Sequence, residues 1–449
     1  MKFTKPQFLV ANHEVGPLVG AMSTAAAWIW APALFLAAEK AYTQGWVGVF
    51  WFVVPNMATL VIFAFFAWKL RSLFPDGYTL SGCMRERYSG RVQNVYLTAL
   101  IGLATCSFAV QLLAGAKVLS VLTGLPYWSL TIILAIIPVG YSLYSGFKGS
   151  MVSDSLQLLM IYAVGALIVP WTIIAGGGWE TVEKGLYGKS GTFTDLFSGD
   201  GLTVFLTFGI PVTIGLLAGP FGDQSFWQRA FAIRKDSVRL AFILAAFIFG
   251  VVPITLSLLG FLGAGMGLTA VDTQRVNLEV VGNLVERKLL PGWILIMFVY
   301  LLLSGLVSTL DSNLTAISSL AGHDIAGRAG HGESLDRRGF SWFSRGAMLV
   351  LVVGGIAIAN IPGMTIPYLF LFYGTLRAST LLPTVITILK KQVSEPGMFW
   401  GIITSIVIGL PIFAYGNLYK VTPMIIGGSL FSVLASGIIV LIATWRRRT

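Results

Sequence analysis

Ser304, Gly305, Ser308, Thr309, Asp311, Ser312 and Asn313 crowd the centre of a stretch, Pro291 to Leu320, that is otherwise apolar enough to cross a lipid bilayer. At helical spacing Ser304, Ser308, Asp311, Ser312 and Thr315 share one stripe, all hydroxyl or carboxylate. A carboxylate at mid-membrane costs about 2.5–3.5 kcal/mol on insertion scales, so it faces protein, an ion or water rather than lipid. Two chemistries suit the stripe. Its hydroxyls can hydrogen-bond across to a neighbouring helix and hold the pair together. Small hydroxyls with one acid also make a hard-oxygen cation site.

Such a stripe needs membrane helices to position it, and the composition supplies them. The chain has 449 residues, 56% of them apolar and 11% charged, with a mean hydropathy of +0.81. A soluble chain carries about 25% charged residues, so this is an all-α integral membrane protein. Twelve apolar segments, each of about 20 residues or more, lie near 15–39, 46–69, 92–123, 127–147, 151–175, 202–228, 238–264, 291–322, 342–361, 365–389, 397–415 and 422–445. The first is too long for the core of a signal peptide, and the stretch before it, through Glu14, reads as polar.

The net charge is +11, and most of the 30 lysines and arginines fall in loops on the N-terminal side, Arg229, Arg234 and Lys235 among them. The positive-inside rule puts both termini in the cytoplasm of a multi-pass cell-membrane protein and accounts for the basic excess without nucleic acid. Residues 176–201, 265–290 and 323–341 are the longest polar stretches, with an external loop expected at 185–201 and a solvated internal one at 328–338. None is long enough for a folded soluble domain, so residues 1–449 read as one membrane domain in a lipid bilayer. Nothing fixes an oligomeric state, and a monomer suffices. Cys83 and Cys106 imply no disulfide framework, and His13, His323 and His331 lack metal-ligand spacing.

Two spans carry breaks. The first reads Met22-Ser-Thr-Ala-Ala-Ala-Trp-Ile-Trp-Ala-Pro32, and proline removes a backbone donor and clashes with the preceding turn, so unwinding is expected near residues 28–31. The sixth holds Pro211, Gly215, Gly219, Pro220 and Gly222 before Asp223-Gln224. Interrupted segments five spans apart point to a transporter of repeated five-helix units, although ordinary proline kinks give the same pattern. No identity is visible between 15–175 and 202–390, so these two repeats, with 397–445 as accessory helices, are inferred from the breaks alone.

Other residues bear on a solute. Trp28, Trp30, Gln111, Gln224 and Tyr373 are candidates to line a small polar pocket, or to serve as packing. Arg377 lies midway along 366–389, too deep to reach the interface, and pairs with a buried acid such as Asp311, with a backbone carbonyl, or with a substrate carboxylate or carbonyl. No nucleophile–base pair, phosphate-cradling loop or metal motif appears, which argues against an enzyme.

Several motifs together resemble the sodium:solute symporter family, the relatives of the proline, sugar and sialic-acid symporters, over nearly the whole chain. They are Asn12-His-Glu-Val-Gly-Pro17, Ala21-Met-Ser23, Tyr42-Thr-Gln-Gly45, Gly146 to Asp154 with Gln157, and Val307-Ser-Thr-Leu-Asp-Ser312 with Ser318-Ser319 and Asp324-Ile325. The resemblance implies a fold of five plus five core helices in inverted repeat, with the first and sixth broken and two further C-terminal helices. It implies a sodium site made by the carbonyls of Ala26, Ile29 and Gly305 and the hydroxyls of Ser308 and Thr309. A second sodium position is implied at Asp154, Ser308, Asp311 and Ser312.

There are departures from the family pattern. The family's usual extra N-terminal helix is missing, and Trp28 replaces an acid that some proline symporters carry in the first helix. Trp28-Ile-Trp-Ala through Gly45, Phe50-Trp-Phe and Gly219 to Trp227 are similar to the high-affinity urea transporters of plants and fungi. Asp154 departs from the plant members, which favours sodium over protons. The expected function is therefore sodium-coupled import of a small polar solute by alternating access, urea or a close analogue being favoured. The alternatives are a small carboxylate or amino acid held through Arg377, and, from another class, a channel or membrane sensor without coupled transport.

Overall fold

The computed structural model describes residues 4–327 and 337–447. Its α-helices run in the order α1 (Lys5–Val10), α2 (Pro17–Trp28), α3 (Ala31–Leu73), α4 (Leu80–Arg87), α5 (Gly90–Thr123), α6 (Tyr127–Ala175), α7 (Trp179–Lys184), α8 (Gly199–Val204) and α9 (Ile210–Ala218). There follow α10 (Gln224–Ala232), α11 (Val238–Gly265), α12 (Val276–Glu286), α13 (Trp293–Ser319), α14 (Arg337–Ala359), α15 (Ile366–Leu389), α16 (Glu395–Thr404), α17 (Leu410–Leu418) and α18 (Thr422–Arg446). π-helical turns join α8 to α9 and α16 to α17, and another, Leu320–Ile325, extends α13.

Among the described residues ten helices are long and apolar enough to cross a membrane, where the sequence shows twelve apolar segments. Two short linkers that polarity suggested are single glycine bends instead. Helix α3, 43 residues long, turns at Gly45 (φ 58°, ψ −158°), and α6, 49 residues long, turns at Gly146 (φ 62°, ψ −171°). That region of backbone space is open essentially to glycine alone. The polar stretches also hold structure: α7 lies within 176–201 and α12 within 265–290. Of the loop expected at 328–338, residues 328–336 fall outside the described residues, as does His331.

Helix α11 packs along α3 and α2, α13 lies against α6, α5 and α2, and α18 packs on α15, α16 and α17. The segment before α2 is less polar than the sequence suggested: Phe8, Leu9 and Val10 are buried, and Gln228 donates to the Leu9 carbonyl at 2.7 Å. Just beyond it Val15 N–H donates to the Ala232 carbonyl (3.1 Å) and Arg234 N–H to the Val15 carbonyl (3.0 Å). This short parallel bridge ties the start of α2 to the end of α10.

Candidate ion and substrate sites

The first break falls where Pro32 requires it. Helix α2 stops at Trp28, and Ile29 (φ −83°, ψ 78°) and Trp30 (φ −107°, ψ 176°) are not helical before α3 begins. Breaking a buried helix leaves backbone groups to satisfy. Ile29 N–H reaches the Ala25 and Ala26 carbonyls at 3.0 and 3.1 Å. Ala31 N–H, the first of α3, donates to Gln111 Oε1 from α5 at 2.9 Å. Gln111 therefore caps the second half of the broken span.

Helix α13 presses its small residues against this break. A Cβ on Gly305 would stand 3.2 Å from Ile29 Cγ2 and 3.3 Å from the Ile29 carbonyl oxygen. Thr309 Oγ1 lies 3.4 Å from the Ile29 carbonyl oxygen and 3.3 Å from that of Gly305. A cation of calcium-like radius stands about 2.3–2.6 Å from its oxygens, which puts neighbouring ligands of an octahedron about 3.3–3.7 Å apart. The two separations from Thr309 Oγ1 suit such an ion. Ala26, Ile29 and Ser308 are all fully buried beside them.

Ser308 Oγ donates to Asp154 Oδ1 at 2.6 Å, a bond that leaves its lone pairs available. The other carboxylate oxygen of Asp154 accepts from Ser23 Oγ (2.7 Å) and from Arg229 Nη2 (2.7 Å). Arg229 was counted above among the loop cations. The structure instead buries it completely on α10, since its guanidinium is satisfied inside the protein. Nε donates to Ser23 Oγ (3.0 Å), Nη1 to the Ser225 carbonyl (3.0 Å) and Nη2 also to Ser312 Oγ (2.8 Å). Asp311 accepts from Ser142 Oγ and, at 3.3 Å, from Ser153 Oγ, two hydroxyls that flank the Gly146 bend.

Arg377 accordingly does not pair with Asp311. Its Nη2 donates to Asp223 Oδ2 at 3.2 Å, and Asp223 Oδ1 accepts from the backbone N–H and hydroxyl of Ser225, capping α10. The guanidinium also stands over the Tyr373 and Trp30 rings, 4.4 and 5.6 Å from their centroids. Trp30 and Trp28 are 5.9 Å apart, and Trp30 and Tyr373 5.6 Å. Glycines let the second break reach this cluster: a Cβ on Gly219 would come within 2.5 Å of the Trp28 ring, and one on Gly222 within 3.0 Å of Arg377 Cα. Trp28 Nε1 and Arg377 Nε are buried donors with no hydrogen-bond partner among the described residues.

The structure thus groups Trp28, Trp30, Tyr373 and Arg377. Gln224 stands apart from them, donating to the Tyr78 carbonyl and to Ser319 Oγ (both 3.1 Å) and accepting from Leu80 N–H (3.1 Å). Sequence reasoning missed Asp223 and Arg229. For Asp223 the signal was its place in the glycine–proline break. For Arg229 it was the apolar company of Phe226, Trp227, Phe231 and Ile233.

Residues 8–405 match the sodium:solute symporter family. The chain is 22% identical, over 476 residues, to the urea-proton symporter of rice (Oryza sativa subsp. japonica), covering 97% of this chain and 65% of that protein. It spans less than two thirds of the length of this and other urea transporters that it matches. It is 26% identical over 427 residues to the sodium/pantothenate symporter of Haemophilus influenzae, covering 91% of this chain and 84% of that one. In three dimensions it is similar to a sodium-coupled sialic acid symporter solved in a substrate-bound, outward-open state, with a TM-score of 0.78 at 15% identity over 99% of this chain and 92% of the other. The last likeness is one of fold. Because the matched residues take in both interrupted spans and the whole of α13, the chain belongs to the sodium:solute symporter family.

Proposed function

We propose that this chain is a sodium-driven symporter that imports a small neutral polar solute, urea or a close analogue, by alternating access. The observation that carries the reading is the position of Thr309 Oγ1, 3.4 Å from the carbonyl oxygen of Ile29 and 3.3 Å from that of Gly305. Neutral oxygens hold a hard monovalent cation and still release it in each cycle. Ala26 and Ser308 complete the proposed ligand set. One sodium ion crossing 100 mV yields about 2.3 kcal/mol, and a tenfold gradient adds about 1.4 kcal/mol. Together these support roughly 500-fold accumulation of a neutral solute.

The solute would lie against Trp28, Trp30 and Tyr373. Trp28 and Arg377 both lie against Trp30, and each holds a buried donor without a partner among the described residues, Trp28 Nε1 and Arg377 Nε, which suits a carbonyl oxygen. Arg377 already has Asp223 as its counter-charge, which favours a neutral solute over a carboxylate. In this reading the chain crosses the cell membrane twelve times as one domain with both termini cytoplasmic. Residues 15–175 and 202–390 form the inverted repeats, and 397–445 the accessory helices. Sodium and the solute are its partners, and a monomer is sufficient.

The name of the rice relative favours a second reading, in which a proton drives uptake. Radiolabelled urea uptake into proteoliposomes separates the readings. Symport with sodium requires flux that falls to background when potassium or choline replaces sodium. Uptake driven by a pH gradient in the absence of sodium assigns the coupling to protons. Downhill flux indifferent to both gradients leaves a channel.

A further inference from the structure

On the basic side of the proposed topology, three elements far apart in sequence meet around a polar cavity. Arg87 ends α4, Lys391 follows α15 and Arg447 follows α18, and with Tyr88, Ser394 and Thr444 they line a space of about 450 Å³. That volume lies within the range of small-ligand pockets and exceeds what a single ion needs. A neighbouring cavity adds Arg85 and Arg91. Glu395 is the one acid lining either cavity, and among the described residues none of these cations is in an ion pair. We propose that this junction binds the phosphate headgroup of an anionic phospholipid.

Neutral groups hold the walls in place. Arg87 Nη2 donates to the Lys390 carbonyl and, at 3.1 Å, to that of Lys391. Tyr88 Oη and Thr387 Oγ1 stand 3.0 Å apart, and Ser394 N–H donates to Thr444 Oγ1 at 3.0 Å. Carbonyls and hydroxyls position the cations without neutralising them, so the like charges repel one another until an anion enters. A phosphodiester suits this wall. Guanidinium groups bind phosphate through paired N–H donors, and an ammonium such as that of Lys391 binds it as a point charge.

Depth selects a lipid over a free anion. Trp445 on α18 and Trp400 on α16 are 67% and 59% exposed, and Leu389 at the end of α15 is exposed as well. Tryptophans on the outer surface of membrane helices gather at headgroup level, and Trp445 stands two residues before Arg447. The cavity therefore opens where headgroups lie, beside apolar surface for the acyl chains. Arg87, Lys391 and Arg447 against Glu395 leave the wall positive. Such a wall favours a lipid of net negative charge over a zwitterionic one, whose amine it repels. A headgroup seated there ties α16 and α18 to the α4–α5 corner of the core.

Thermal unfolding of the purified, delipidated full chain in detergent tests the proposal, whichever ion drives uptake. The probes are phosphatidylglycerol, phosphatidylcholine and inorganic phosphate, each titrated alone at constant ionic strength. Phosphatidylglycerol should raise the melting temperature saturably, and the other two should leave it near its starting value. Lys391→Gln combined with Arg447→Gln removes two exposed cations and should weaken apparent phosphatidylglycerol affinity about 30-fold, roughly fivefold for each. Arg234→Gln combined with Lys235→Gln takes the same charge from exposed positions outside the cavity and should keep wild-type affinity. An equal shift with phosphatidylcholine, or with inorganic phosphate alone, overturns the proposal, and neither measurement needs a variant to fold. Equal losses in the two double variants overturn it as well, because diffuse surface charge then accounts for the binding.

Discussion

Arg377 and Asp223 face each other at 3.2 Å with side-chain exposures of 4% and 7%, so the charge deepest in α15 is balanced by an acid in the break of the sixth span. A buried charge left without its partner is far costlier than the pair itself is stabilising. This relationship separates a structural arginine from one that waits for an anionic solute.

Arg377→Gln should therefore lower stability by about 3–5 kcal/mol, the usual cost of stranding one partner of a buried pair. The double variant Asp223→Asn with Arg377→Gln should recover much of that loss. Thermal unfolding in detergent reads both. In competition assays, small carboxylates should be poor inhibitors of the wild type. If they compete well and Arg377→Gln abolishes that competition selectively, the solute is an anion and the urea reading is wrong.

Thr309→Ala removes a hydroxyl oxygen that stands between two carbonyls. Apparent sodium affinity should fall by about tenfold, equivalent to about 1.4 kcal/mol, while expression stays close to wild type. Ser308→Ala should act in the same direction. Uptake measured against sodium concentration checks both, and unchanged sodium dependence in the double variant would refute the ion-site assignment.

Gln111→Leu keeps most of the side-chain volume but deprives Ala31 N–H of its acceptor. A buried donor left unsatisfied costs about 1–3 kcal/mol, and the start of α3 would lose its fixed position against Trp30. Both stability and solute affinity should drop. Sodium affinity measured without solute should change less, because the hydrogen bonds of Gln111 among the described residues go to Ala31 and Ser107, which are not proposed ion ligands.

Gly146→Ala places a side chain at φ 62°, ψ −171°, where its Cβ would come within 2.8 Å of the Phe8 ring. Backbone strain of this kind costs on the order of 1–3 kcal/mol. A clear loss of melting temperature is expected, larger than for alanine at Gly140, which has a negative φ and open space around it.

Much of the site was legible because proline, glycine and buried polar residues leave marks that composition cannot hide. Pro32 located the first break at Ile29–Trp30, and Pro220 with its neighbouring glycines located the second. The stripe from Ser304 to Thr315 proved to be buried along its whole length. Pairing was not legible. Whether Arg377 meets Asp311 or Asp223 depends on how helices far apart in sequence are arranged, and no periodicity encodes that. Arg229 escaped notice for a related reason: charge counting treats every arginine near the end of a span as solvated, and only the surrounding side chains show that this one is not. The bends at Gly45 and Gly146 were missed because a single residue in a rare conformation turns a chain as effectively as a polar loop does.

The bridge between Val15 and Ile233 has a consequence for sequence drift. Both of its hydrogen bonds run from main chain to main chain, through Val15 N–H and Arg234 N–H. Nineteen of the twenty amino acids supply that N–H equally well, so the strap joining the start of α2 to the end of α10 is almost immune to point mutation. Proline alone removes the donor. Substitutions at the exposed Arg234 should be widely tolerated with that one exception, whereas Val15, which packs on the core, also has to stay apolar, and a lineage can rewrite the outer side of this crossing while the two half-helices stay tied together.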